Sequence, residues 1–184
     1  MKTLLQLACA ALLMLCPAIA FSQASGVSQV NIIIAPAQSI QVQHSTVNIQ
    51  MTQASHYMLG NSSGLQSNHV RVTSTTGYEV TVKSETQFFS LNGNITTLPV
   101  NTIAVQTAIG SDLSGSNSAP PSGLVITPQV MLETSGTTII STPTGEADRG
   151  YNVNYTIPAN QTQNYFNREN GTYNTTVTYT LVPQ

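Results

Sequence analysis

Ser62 sits in "GNSSG", Gly60 to Gly64, which fits the Gly-x-Ser-x-Gly spacing of a serine nucleophile. That spacing supports hydrolysis when a strand turns sharply into a helix and lifts the hydroxyl beside an oxyanion hole. The flanks here are "HYML" and "LQSNHV", and no helical pattern follows, so a Ser/Asn/Gly loop accounts for the stretch. The three histidines, His44, His56 and His69, lack the H-x-H or H-x-x-x-H spacing of a metal clip. Two of them could meet in space, but the simpler expectation is isolated imidazoles at the surface or on strand edges. The densest charge is "TGEADRG", Thr144 to Gly150. Glu146 and Asp148 there form a weak calcium candidate, because that ion wants about six to eight oxygens and Arg149 can pair with either acid. Paired carboxylates for glycoside cleavage are a poor fit for seven scattered acids and no tryptophan. The seven tyrosines could stack on sugars, although tyrosine in alternating strands usually packs its ring and wets its hydroxyl. The expectation is no catalysis and no cofactor.

Composition narrows the partners. Lysine and arginine total five against seven acids, and charged residues make up only 7% of the chain. That leaves nothing to neutralise a phosphate backbone, so nucleic acid is excluded as a partner. The polar surface must be built from Thr, Ser, Asn and Gln, which suits extracellular structural proteins and sugar-facing surfaces. Lys2, the apolar run "LLQLACAALLMLCPAIA" and the small-x-small site Ala18-Ile19-Ala20 describe an export signal over 1–20, with 24 as an alternative end. Leu15 before Cys16 disfavours lipidation, which would want a small residue there. Both cysteines, Cys9 and Cys16, fall inside that signal, so the remainder has neither disulfide nor thiol chemistry. The expected location is extracellular, cell-surface or periplasmic, with no transmembrane helix after cleavage.

The elements that must position these residues are strands. "VNIIIAP", "SIQVQ", "TVNIQM", "HVRVTSTTGYEVTVKS", "NTIAVQTA", "LVITPQVMLE", "TTIIST", "YNVNYTIP" and "GTYNTTVTYTLVP" all alternate with period two and are rich in β-branched residues. The break at Thr75-Thr76-Gly77 predicts a hairpin or a bent strand pair. The piece from Ile109 to Gly123 predicts an exposed loop. The pattern predicts an all-β fold over 21–184: a single antiparallel Ig-like β-sandwich of roughly nine strands with no substantial helix. In the last strand, Tyr173, Thr175, Val177, Tyr179 and Leu181 should face the core and the intervening threonines should face outward.

"GYEVTVKS", Gly77 to Ser84, and "GTYNTTVTYTLVP", Gly171 to Pro183, together resemble the two signatures of WxL-type bacterial cell-surface domains. Tyrosine replaces both signature tryptophans, the matching triplets being Tyr78-Glu79-Val80 and Tyr179-Thr180-Leu181. The resemblance implies a surface protein attached non-covalently to the wall, with Tyr78, Val80, Tyr173, Tyr179 and Leu181 as structural or ligand-facing positions. A weaker resemblance is to secreted pilin-like Ig-fold subunits, some of which assemble when one copy's N-terminal extension completes another's sheet. Here "FSQASGVSQVNIIIAP", with Val30, Ile32 and Ile34 alternating, would be the donor. The expected partners are cell-wall glycan, another surface protein or a further copy of the chain.

Overall fold

The computed structural model describes residues 25–184, so the export signal lies outside the described residues. The chain divides into two units, 1–34 and 35–184. In the described part of the first, residues 25–34 form neither strand nor helix. Val27, Val30, Ile32, Ile33 and Ile34 are all more than 80% exposed.

The second unit is a β-sandwich, as the alternation predicts, with antiparallel pairing throughout. One sheet has the order β1 (Gln38–Val42), β3 (Gln66–Ser74), β11 (Glu146–Pro158), β7 (Ala104–Asp112), β9 (Gln129–Met131), with β2 (Gly60–Ser62) on the far end of β11. The second sheet runs β13 (Val177–Pro183), β4 (Tyr78–Ser84), β10 (Thr137–Thr142), β8 (Val125–Ile126). A small third sheet joins β12 (Tyr173–Asn174), β5 (Phe88–Leu91) and β6 (Asn94–Pro99). The thirteen strands exceed the roughly nine expected, because β2, β8, β9 and β12 are two or three residues long and too short to show a period. Among the described residues, helix is confined to α1 (Ala54–Leu59) and two 3-10 stretches, Val100–Thr102 and Ala159–Tyr165.

The core is the period-two pattern made solid. In β4, Tyr78, Val80, Val82 and Ser84 are buried while Glu79, Thr81 and Lys83 are not. In β11, Tyr151, Val153, Tyr155 and Ile157 face the same core. Val70, Val72, Val105, Leu132, Ile139 and Ile140 fill the space between the sheets. Each such side chain contributes about 1.5–3 kcal/mol on burial.

Four expectations need correction. Residues Val70–Val82 are not a hairpin: β3 and β4 lie in different sheets, and Thr75–Gly77 is an arch between them, tightened by the Ser74 Oγ bond to Thr76 O at 2.7 Å. Ser74 and Tyr78, at the two ends of the arch, are both buried, but their strands do not pair: β3 bonds to β1 and β11, and β4 to β10 and β13. The irregular loop begins at Leu113, because Ile109–Asp112 are held as strand by the ladder to β11. "GTYNTTVTYTLVP" is two strands: β12 joins β5 and β13 joins β4, with Thr175 Oγ1 bonded to Ser84 Oγ at 2.8 Å in the gap. The inward/outward alternation nevertheless runs across that gap, with Tyr173, Thr175, Val177, Tyr179 and Leu181 more enclosed than Thr172, Asn174, Thr176 and Thr180; Thr178, expected to face outward, is the exception and is half-buried. Finally, "TVNIQM" is extended but unpaired: Val47, Ile49 and Met51 rest half-buried on the core outside any ladder.

Candidate functional site

The site the sequence points to is built around β11. Strict alternation would place Glu146 and Asp148 on one face. Instead the register to β3 shifts between Glu146 and Arg149, a bulge in which Asp148 takes the left-handed conformation, φ 44°. Aspartate tolerates that conformation better than most residues. The extra residue turns Glu146 and Arg149 inward together and Asp148 outward. Glu146 and Arg149 form an ion pair whose side chains are 5% and 4% exposed. Asp148 pairs with Arg71 on the other face, where its Oδ1 accepts from Arg71 Nε at 2.9 Å. The two carboxylates expected to serve one cation are therefore turned apart, each with its own guanidinium. Among the described residues no group of three or more His, Cys, Asp or Glu could hold a metal ion.

Glu146 Oε2 also accepts from the hydroxyls of Tyr78 (3.0 Å) and Tyr151 (3.2 Å), which themselves lie 2.7 Å apart. Tyr78 belongs to one sheet and Tyr151 to the other, so a carboxylate and two phenols bridge the sandwich. Burial, their mutual bond and the adjacent Glu146 charge hold the Tyr78 hydroxyl far above the ordinary phenol range, and burial does the same to Tyr151. Arg149 Nη2 reaches the other way, donating to Ser118 O at 3.0 Å and Ala119 O at 3.1 Å. The long loop is thus tied to the core through one guanidinium. At the loop's start, Asp112 accepts from Ser114 Oγ and N and from Ser116 and Ser118, bonds that hold its carboxyl well below the usual range.

A second bridge lies further along β11. Tyr155 Oη is 2.7 Å from Tyr179 Oη on β13 and 3.1 Å from His69 Nε2. His69 Nδ1 is 3.1 Å from His44 Nδ1. His69 is 1% exposed, not a surface imidazole. Asn68, φ 50°, forms a bulge before it, so His69 and Val70 are buried in succession. Burial pulls its pKa down to about 4, with the neighbouring His44 adding to the effect. Burial pushes Tyr155 up to about 12 and raises Tyr179 well above its ordinary value.

Of the signature positions, Tyr78 and Val80 have no accessible surface and Tyr179 is 8% exposed. Their rings pack and their hydroxyls bond across the sandwich; they offer no face to a ligand. Leu181 is half-buried on the core, and Tyr173, also half-buried, donates to Glu169 O at 3.0 Å. The sequence singles out Tyr151 and Tyr155 only among the seven tyrosines that could stack on sugars, and not as partners of the signature tyrosines. The available signal was their spacing of four in "GYNVNYTIP", which puts both on one strand face opposite the two signature tyrosines. Ser62 lies in β2, its Oγ accepting from Gly64 N at 3.3 Å, and α1 precedes rather than follows it. His56 accepts from Thr52 N, and His69 is engaged with Tyr155, so neither joins Ser62 in a catalytic pair.

The surface carries shallow recesses. One, about 140 Å³, is lined by Ser39, Gln41, Arg71, Thr73 and Asp148. Another, about 170 Å³, lies between β5, β6 and the β12–β13 gap, with Glu85, Phe88, Ser90, Ile95, Asn174 and Thr176 around it. No described helix is long and apolar enough to cross a membrane. No protein-family model matches the chain, and no curated protein matches it.

Proposed function

We propose that this chain is a non-enzymatic, exported bacterial surface protein with a structural role, and that it joins a second copy of itself by strand addition. The observation that carries this reading is the segment 25–34. Its five aliphatic side chains lie more than 80% exposed on a backbone in neither strand nor helix, and Val30, Ile32 and Ile34 are spaced as a strand's buried face is. Leaving such a run in water forgoes about 1.5–3 kcal/mol per large aliphatic side chain, which a receiving sheet would recover. The molecule offers receiving edges. β13 is seven residues long and, among the described residues, pairs with β4 alone, so its other edge forms no ladder and has main-chain groups to offer. The low charge of the chain puts little repulsion between copies. The attachment role expected of a WxL-like surface domain would have to act through other surfaces than Tyr78 and Tyr179, which are enclosed.

The test is sedimentation velocity of the chain from residue 25 onward, beside a variant lacking 25–34 and an Ile32→Asp variant. Concentration-dependent oligomers are expected in the first and monomers in the other two. A parent chain that stays monomeric at high concentration would sink the reading.

A further inference from the structure

The chain of rings from Tyr179 to His44 has a direction. The two imidazole planes lie within 16° of each other with centroids 5.4 Å apart, while their Nδ1 atoms are 3.1 Å apart. With that much of the centroid distance taken up between the nitrogens, the rings meet edge to edge and not face to face. The two Nδ1 atoms confront each other head-on. This suits one shared proton and not a metal, since two metal–nitrogen bonds of about 2 Å each along that line need a wider gap.

The hydrogens can be counted. The enclosed part holds three: the hydroxyls of Tyr179 and Tyr155 and one ring N–H of neutral His69. Directed outward, each has an acceptor: Tyr179 donates to Tyr155, Tyr155 to His69 Nε2, and His69 Nδ1–H to His44 Nδ1. Directed inward, the Tyr179 hydroxyl, 8% exposed, is left without an acceptor, because Tyr155 is its one hydrogen-bond partner. A buried unpaired donor is costly, so the outward order holds. His44 Nδ1 must then be bare, and a proton placed there would face the His69 N–H.

His44 also holds a strap. Residues 44–51 make no main-chain to main-chain hydrogen bond among the described residues, although Val47, Ile49 and Met51 rest on the core. The far end is fastened by Tyr57 Oη to Met51 O at 2.9 Å and Asn61 Nδ2 to Gln50 O at 2.6 Å. At the near end the side-chain fastening is the His44–His69 bond, next to the Gln43 N to His69 O bond at 2.8 Å. We propose that the His44–His69 pair is an acid-sensitive latch: a second proton on the pair breaks the shared N–H···N bond and lifts the strap 44–51 from the core. No counter-charge opposes this. The groups facing the His69 ring are the neutral phenols of Tyr155 on β11 and Tyr179 on β13, His44 is exposed on its far side, and the charged residue nearest in sequence on β3, Arg71, is turned to Asp148. The depressed His69 pKa agrees with a site that resists the second proton. The latch does not rest on the assembly proposed above.

The experiment is NMR on the described chain, following the imidazole nitrogens and the methyl groups of Ile49 and Met51 from pH 7.5 to 4. At pH 7.5, His69 should carry its proton on Nδ1, and His44 on Nε2. As the pair takes up the second proton, the methyl contacts of Ile49 and Met51 to the core should vanish while those of Val80 and Ile140 persist. His44→Gln, whose amide oxygen accepts from His69 without titrating, should keep the strap contacts at least one pH unit further down. The opposite tautomers, strap contacts that survive uptake of the second proton, loss at the same pH in His44→Gln, or simultaneous collapse of the whole core would each overturn the proposal.

Discussion

Arg149 is the residue on which most depends. Its guanidinium compensates Glu146 inside the sandwich, and Glu146 in turn receives both bridging phenols. Removing one partner of a buried pair leaves a bare charge, so Arg149→Met should cost about 3–5 kcal/mol in denaturant unfolding. Replacing both members, Glu146→Gln with Arg149→Met, should recover most of that loss, because the bare charge goes with it. The ordered phenol chain makes a second forecast. Tyr155→Phe strips an acceptor from Tyr179 and a donor from His69, about 1–3 kcal/mol for each group left unpaired. Tyr179→Phe removes only the first donor in the line and should cost about 1 kcal/mol. Equal costs for the two would mean the hydrogens do not run outward.

Among the elements, the bulge in β11 decides which side chains reach the core. Asp148→Asn keeps a residue that accepts φ 44° and loses only a part-exposed ion pair, so unfolding free energy should change by less than about 1 kcal/mol. Asp148→Val adds a β-branched side chain in the left-handed region, a further cost of about 1–2 kcal/mol by the same measurement. The β5–β6 turn is a cleaner backbone test. Asn92 and Gly93, φ 51° and 80°, make the two-residue turn, and a Cβ on Gly93 would touch nothing. Gly93→Ala should therefore cost about 1 kcal/mol through φ alone. Strand identity was readable for β4 and for β11 from Tyr151 onward, where unbroken alternation meets the core. The bulges at Asp148 and Asn68 were not, because one inserted residue at the first and two at the second leave no mark on composition and yet re-aim the side chains beside them. For that reason Glu146, Asp148 and His69 were misplaced from sequence, while Tyr78 and Tyr179, on regular strands, fell where the period puts them. The arch after Ser74 was equally hidden: Thr-Thr-Gly permits a turn within a sheet or a step between two.

For the whole molecule, the buried titratable groups set a plateau of stability. His69 has a folded pKa of about 4 against an ordinary 6.5, so the unfolded chain takes the proton first. Stability is full above about pH 6.5 and declines toward pH 4, by up to about 3 kcal/mol. Tyr155 and Tyr165 shift the other way, to about 12 from 10. The unfolded phenols ionise first, so stability is present below pH 10 and lost as pH rises toward 12. Calorimetric scans across pH should find a flat top between those limits, and a midpoint that moves steadily through pH 7–9 would contradict it. One tether also has a practical use. Because Arg149 fastens the long loop at Ser118 and Ala119, the residues just beyond, Pro120 to Gly123, hang between that fastening and β8 with little enclosed. A foreign peptide grafted there would start from a pinned stem. Doubling the loop would add only about 0.6 kcal/mol of closure entropy, which makes this stretch the natural place to display cargo on the fold.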